Sequence, residues 1–394
     1  MFADPRALRE SFRDLALQGK LDISYVMRER AKAGYSSDTK RNHETVVPQF
    51  EDAEITSVWK WIYNMKFQFN KGKALSEYKG IYRVITAPKD DDSKSSFLFS
   101  PGACSDSMSF SLELMKTVTL NFTMYTTYAR ALAQKLCGWG FKSAQDLEEK
   151  LVQYENRGRF SKAAALAVFH FNLKRALATF QLQAQKESQV PDTKAAAVSA
   201  DIPTSPAPTQ GAAPAAGTKK SINVQLIAMA LSGYKDGGAG ALWRQTCRAL
   251  AADIADPYLE AMFMFLCQNP EEEGKAVTYD GVIGAKSKIS LLDKIAFACR
   301  FLDDNQLRAY LSEAHSQAIT AGALEGLLLT GIDDSGSCVE LLQSYLERTN
   351  DIQTVALVMS QVSSRKVKAP QVEQWIELCA SLLPRSAQSS PHLV

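Results

Sequence analysis

The sequence predicts an all-α protein, an α-solenoid of stacked antiparallel helix pairs interrupted by a disordered Pro/Ala-rich insertion. Three observations lead there. Residues 158–180, GRFSKAAALAVFHFNLKRALATF, hold two short apolar-faced helical patterns back to back. Neither half can bury its apolar face without a neighbour stacked against it. Similar patterns of about 12–15 residues recur as far as Leu383 with short connections, as antiparallel neighbours require. Sustained two-residue alternation, which a propeller or sandwich needs, is missing from the chain.

The elements follow in order. Residues 1–70 read as an N-terminal helical segment. Asp4 and Pro5 open a helix that Gly34 stops, and a second helix over 53–69 carries Trp59, Trp61, Tyr63, Phe67 and Phe69. Residues 71–107 read as an irregular loop, marked by Pro88, Asp90, Asp91, Asp92 and a serine cluster. The first part of the solenoid spans 108–188, with a helical pattern over 109–136, the turn Cys137-Gly138-Trp139-Gly140, a helix over 143–156, and then the paired unit. Residues 189–220, rich in Ala, Pro, Thr and Ser, bury too little apolar surface to offset their ordering entropy and read as a disordered linker.

The second part of the solenoid spans 221–383. Asp256-Pro257 opens a helix reaching Cys267, and Leu292, Ile295, Ala296, Cys299 and Leu302 form the next apolar stripe. Asp304 is the candidate cap of a helix bearing Leu307, Tyr310, Leu311, Ala314 and Ala318. Gly322 and Gly331 read as stops. Cys338, Leu342, Tyr345 and Leu346 share one face, and Ile352, Val355, Ala356 and Met359 another. Pro370 opens a last helix with Val372, Ile376, Cys379 and Leu383 inside, and residues 384–394 read as a disordered tail.

Composition narrows the function. At 46% apolar and 22% charged residues, the 394-residue chain has an ordinary globular balance. Its richest apolar stretch, Leu259 to Cys267, is about half what a membrane-spanning helix needs and contains Glu260, and no direct membrane insertion is expected. The charged N-terminus lacks a signal core. Net charge is +2, but residues 1–190 carry 28 basic against 21 acidic side chains and residues 191–394 carry 17 against 22. That asymmetry suits an electrostatically oriented assembly. It lacks the concentrated basic stripe that nucleic-acid binding requires.

Searching for chemistry returns no enzyme. The seven cysteines are separated singletons without the short spacing of a zinc site, and they read as buried free thiols in a reducing compartment. No G-x-S-x-G, H-E-x-x-H or P-loop pattern occurs. Gly237-Gly238-Ala239-Gly240 follows a helix rather than a strand, which removes the phosphate-cradle geometry. The four histidines lack partners at useful spacing. No catalytic residue, metal or cofactor is expected. For partner binding the sequence singles out Trp59, Trp61, Tyr63, Phe67 and Tyr82. The alternative is that these aromatics pack the first helical layer.

Several blocks are similar to one known family. LCGWGF at 136–141, RFSKAAALAVFHFNLKRAL at 159–177, IAMALSGY at 227–234, ALWRQTCRAL at 241–250 and DPYLEAMFMFL at 256–266 resemble the solenoid of the Mios family. TYDGV, KIAFACRFLDDNQL, GALEGLLLTGI, SYLERTNDIQT and QVEQWIELCASLL continue the resemblance in the same order, and VMRERAKAGYSSDT at 26–39 begins it. The resemblance implies a non-catalytic scaffold subunit of the second, TOR-activating GATOR subcomplex, relaying amino-acid sufficiency to the TOR kinase pathway. It implies a cytoplasmic protein recruited to the lysosomal membrane surface. Its implied partners are other GATOR subunits and small WD-repeat propeller subunits shared with the nuclear pore coat.

Two departures carry expectations of their own. Family members add an N-terminal WD-repeat propeller and a C-terminal zinc-binding domain. This sequence shows neither, which reads as a truncated form. The 190–220 segment separates blocks that lie closer in the family. The competing functions are a coat or tethering solenoid of vesicle traffic or the nuclear pore, and an inactive truncated isoform.

Overall fold

The computed structural model describes residues 22–50, 52–69, 78, 80–86, 105–117, 122–188, 224–234, 240–268, 279–332, 336–362 and 369–382. Among these residues every regular element is helical. The main helices are α1 (Ile23–Lys32), α2 (Ala53–Tyr63), α3 (Gly80–Thr86), α4 (Ser105–Thr117), α5 (Tyr128–Leu136), α6 (Ala144–Asn156), α7 (Phe160–Phe169) and α8 (Leu173–Ser188). They continue with α9 (Val224–Ser232), α10 (Ala241–Asp253), α11 (Pro257–Leu266), α12 (Leu291–Phe301), α13 (Asp304–Ala321), α14 (Gly336–Thr349), α15 (Ile352–Met359) and α16 (Pro370–Leu382). The proposed linker over 189–220 and the tail over 384–394 lie outside the described residues, as do 1–21 and most of 71–107.

Local chemistry sets the helix starts. Asp22, Asp52, Thr127, Ser143, Asp256 and Asp351 each accept a backbone N–H from the first turn of the helix that follows. Such a cap is worth about 1 kcal/mol. Pro257 and Pro370 occupy first-turn positions, where a missing N–H costs nothing. The cap of α13 is Asp303, which accepts from Asn305 N and Gln306 N. Asp304, the residue expected there, is the first residue of the helix instead, and its carboxylate faces Arg130. Either aspartate fits the capping rule, and only the backbone geometry separates them.

Two further differences have physical causes. The helical pattern over 109–136 divides into α4 and α5, with residues 122–127 non-helical between them. Thr123, Thr126 and Thr127 disfavour a helix there, and Thr127 caps α5. Residues 80–86, within the expected irregular loop, form α3. Tyr78 and Gly80 lock this short helix in place by tertiary contact rather than by periodicity.

The chain divides into two compact units. The first comprises residues 1–106, 125–140 and 298–394. Within it α13 packs on α14, α15 on α16, and α3 against α5, α13 and the single turn Leu327–Thr330. Helix α15 is buried along its whole length, from Ile352 through Met359, as a short helix apolar on nearly every side must be. Ile55, Val58, Trp59 and Ile62 form the buried stripe of α2.

The second unit comprises residues 107–124 and 141–297. Here sequence neighbours stack in turn: α6 on α7, α7 on α8, α8 on α9, and α10 on α11, with α7 also against α11. Seven consecutive residues of α7, Ala163 to Phe169, are buried, so the paired pattern over 158–180 has neighbours on several sides. Phe169, Phe265, Phe297 and Tyr279 interlock edge-to-face at 5.1–5.5 Å, an arrangement that adds to their area burial. The α7–α8 turn closes through Phe171 in the left-handed region at φ 59°. His170 in that turn contacts the Leu166 carbonyl through Nδ1 at 2.9 Å.

Candidate functional site

The aromatics singled out for partner binding separate by burial. Trp59 is 0% exposed, and its Nε1 donates to the Tyr35 hydroxyl at 2.6 Å. Trp61 is also buried, its ring 5.3 Å from that of Tyr78. These two indoles belong to the core of the first unit, because residues 55–62 turn their apolar stripe inward. Tyr63 and Tyr82 are half-buried, beside His43 at 5.0 Å and stacked on His315 at 4.5 Å. Phe67 lies in the π-helical turn Asn64–Phe69, and its side chain is outside the described residues. Of the four whose side chains are described, Trp59 and Trp61 are buried inside, and Tyr63 and Tyr82 are partly exposed.

Around Trp59 the first unit contains a polar network that joins residues some three hundred positions apart. Arg30 donates to Asp351 at 2.5 Å, and Asp351 also accepts from the Thr354 hydroxyl at 2.8 Å and the Tyr345 hydroxyl at 3.2 Å. The Tyr35 and Thr354 hydroxyls lie 3.1 Å apart. Burial, then the Asp351 charge, pushes the Tyr35 phenol well above its ordinary value. Tyr78, also fully buried, donates to the Leu328 carbonyl at 2.5 Å. Buried Arg130 donates to the carbonyls of Cys299 and Leu302 at 2.9 and 2.8 Å, and so closes the end of α12. Every member faces another protein group, as structural polar networks do.

The second unit has two such clusters. Lys162 of α7 donates to Asp293 at 2.5 Å, and Asp293 also accepts from Tyr258 and Ser290, each at 2.6 Å. Burial pushes the Asp293 carboxyl up, but Lys162 and these hydrogen bonds outweigh it and hold the group below the usual carboxylate range. Arg175 forks between Glu148 and Glu155 at 2.7–2.9 Å, and Thr179 donates to Glu155 at 2.7 Å. Both clusters tie helices together.

One face is different. Lys150 and Lys162 place their ammonium groups 5.5 and 5.1 Å from the Tyr154 ring, and Arg157 and Arg159 stand exposed on the adjoining turn. Burial, then the charges of Arg157 and Lys162, lowers the Lys150 pKa. Among the described residues only Lys162 of these four pairs with a carboxylate. The α6–α7 turn thus presents Arg157 and Arg159 to solvent beside half-buried Lys150, while Lys162 turns inward to Asp293. Sequence reasoning found a basic excess in the N-terminal half without locating it, although Arg157-Gly158-Arg159 beside Lys150 and Lys162 was a readable signal.

Among the described residues no group of three or more potential ligands could hold a metal ion, and no helix is long and apolar enough to cross a membrane. Stacked helix pairs, with interior ion pairs such as Arg30–Asp351, Lys162–Asp293 and Arg175–Glu155 tying helices together, define an α-solenoid protein. The chain is matched by the family model described as MIOS, alpha-solenoid, over residues 27–202 and 207–301, with the interruption inside the Pro/Ala-rich segment. It is 32% identical to the zebrafish GATOR2 complex protein MIOS over 97% of this chain and 39% of that relative. It is likewise 32% identical to the Xenopus laevis GATOR2 complex protein MIOS-A, over 92% of this chain and 36% of the relative. Against the Saccharomyces cerevisiae SEH-associated protein 4 it is 28% identical over 92% of this chain and 32% of the relative. The chain belongs to the MIOS α-solenoid family. It spans less than two-fifths of the length of these relatives.

Proposed function

We propose that this chain is a non-catalytic scaffold of a GATOR2-type complex that relays amino-acid sufficiency to the TOR kinase pathway at the lysosomal surface. The observation that carries the reading is the match along nearly the whole chain to relatives named GATOR2 complex protein MIOS. The interior supports it, because the buried pairs Arg30–Asp351 and Lys162–Asp293 brace helices against one another. Its partners are the other GATOR subunits and small WD-repeat propellers of the kind shared with the nuclear pore coat. Tyr63, Tyr82 and the basic α6–α7 turn are the surfaces offered to them.

Affinity purification of the tagged chain from cells tests the assignment. Co-recovery of GATOR2 subunits is expected. Recovery of vesicle-coat, tether or nuclear-pore subunits without them overturns it. Phosphorylation of TOR substrates after leucine withdrawal and re-addition, with and without the chain, tests the signalling role and identifies an inactive form.

A further inference from the structure

Three helices of the second unit bring their ends together around two aromatic rings. Lys150, Tyr154 and Arg157 follow one another at helical spacing, so they share one face of α6 and of the residue that closes it. The Lys150 and Lys162 ammonium groups lie 5.5 and 5.1 Å from the Tyr154 ring. Past the turn, Arg159 precedes α7 and Phe160 is its first residue. Lys186, in the last turn of α8, sets its ammonium 5.1 Å from the Phe160 ring. The Arg157 and Arg159 backbone N–H groups both donate to the Tyr154 carbonyl, at 3.1 and 2.9 Å, which fixes the two arginines beside the end of α6.

Arg157, Arg159 and Lys186 are exposed, while Lys150, Tyr154 and Phe160 are half-buried. The buried carboxylates nearby are already engaged, Glu155 by Arg175 and Thr179 and Asp293 by Lys162. Exposed Glu149 and Glu187 accept from Gln145 and Gln183. Among the described residues Lys150, Arg157, Arg159 and Lys186 form no ion pair with a carboxylate. One cation at the end of α6 or α8 complements a helix dipole. Four around one turn exceed that need and repel one another.

We propose that this face docks an acidic peptide segment of a partner protein, one that sets carboxylates on either side of an apolar side chain. Arg157 and Arg159 can fork onto a carboxylate, and an ammonium held over a ring keeps its N–H donors for another. Tyr154 and Phe160 supply the apolar floor between the cations. An anionic membrane would instead reward apolar side chains free to insert. Here both rings are half-buried, with an ammonium beside each. The inference rests on the scaffold reading only for the partner being another subunit of the same assembly. The chemistry of the contact comes from these side chains.

Fluorescence anisotropy with the full chain tests this. The probe is a fluorescein-labelled peptide of paired glutamates alternating with leucines, and the control peptide carries glutamine for every glutamate. The glutamate peptide alone is expected to bind, and less tightly as salt rises. Lys186→Glu and Arg159→Glu are each expected to weaken it about threefold, and together about tenfold. Arg308→Glu, at an exposed position of α13, makes the same change in net charge away from this face and is expected to leave binding unaltered. Absence of peptide binding overturns the proposal, and so does an equal loss in Arg308→Glu, which would mean that net charge alone attracts the probe. Binding to phosphatidylcholine vesicles with about 20% phosphatidylserine, without binding to the peptide, overturns it in favour of a membrane contact. If a variant fails to fold, the two peptides and the salt series on the unaltered chain still decide. Co-recovery of GATOR2 subunits is measured in parallel. Its failure with the peptide bound sinks the scaffold reading and leaves the docking face, whereas co-recovery without peptide binding sinks the docking face alone.

Discussion

Trp59 combines a large apolar surface with one polar atom, and both are satisfied inside the first unit. Replacing it with alanine removes the buried indole and strands the Tyr35 hydroxyl between Thr354 and an empty space. Trp59→Ala is expected to destabilise the unit by about 3–5 kcal/mol, read as a lower midpoint in urea denaturation. Tyr82→Ala, at a half-buried ring with one stacking partner, is expected to change stability by about 1 kcal/mol. Equal effects would contradict the division of the candidate aromatics into core and surface. Periodicity alone reveals that these rings share a helix, but not which side faces inward. The deciding neighbours, Tyr78 and Thr354, come from other stretches of the chain.

Asp293 gives a residue-scale prediction with a pH signature. Its folded carboxyl is held below the ordinary value while Lys162 is held above its own, where burial lowers it but Asp293 and the neighbouring Tyr154 and Tyr258 raise it. The carboxylate's contribution is therefore present above about pH 4 and lost as pH falls through the lowered folded value. The ammonium's contribution is present below about pH 10.5 and lost as pH rises above it. Asp293→Asn leaves Lys162 buried without a charge partner, a loss of about 3–5 kcal/mol. Urea denaturation followed from pH 7 down to below pH 3 is expected to show a large difference from the unaltered chain at neutral pH that shrinks progressively as the pH falls below about 4. A difference independent of pH would mean that the pair contributes shape rather than charge.

Helix α3 tests how an element with a weak local pattern is held. Gly80 begins it at φ 81°, and a Cβ there would lie 2.1 Å from the Leu329 carbonyl oxygen and 2.6 Å from Gly331 N. Gly138 has nearly the same φ, 85°, yet an added Cβ meets nothing within 4 Å. Both alanine variants carry the left-handed penalty of about 1–2 kcal/mol. Only Gly80→Ala must also push backbone apart, and it is expected to lose about 3 kcal/mol or more. Comparing thermal midpoints of the two separates conformational strain from packing. The contrast also explains the limit of sequence reading at this scale. Helices with caps and apolar stripes, such as α11, α13 and α16, are legible within two residues of their ends. α3 owes its existence to Tyr78 docking on Leu328, which local pattern does not encode.

Across the whole molecule the fold class was legible because stacking leaves a repeated demand for burial in every helix, while the ion pairs that brace the stack were not. Arg30 with Asp351, Lys162 with Asp293 and Arg175 with Glu148 are separated by 321, 131 and 27 positions, and residue type alone does not choose among so many candidate partners. On the outer side of the α6–α7 turn Arg157 and Arg159 are exposed, beside Lys150. Charge of one sign at the rim of an interface acts through steering and partner choice more than through buried area. Arg157→Glu combined with Arg159→Glu is expected to leave helical content and thermal midpoint unchanged, since both side chains are exposed. It is also expected to reduce co-recovery of GATOR2 subunits several-fold at low salt, with the gap narrowing as ionic strength rises and screening sets in. Unchanged recovery at every salt concentration would place the assembly contact on another face, and the half-exposed rings of Tyr63 and Tyr82 would then be the surface to alter.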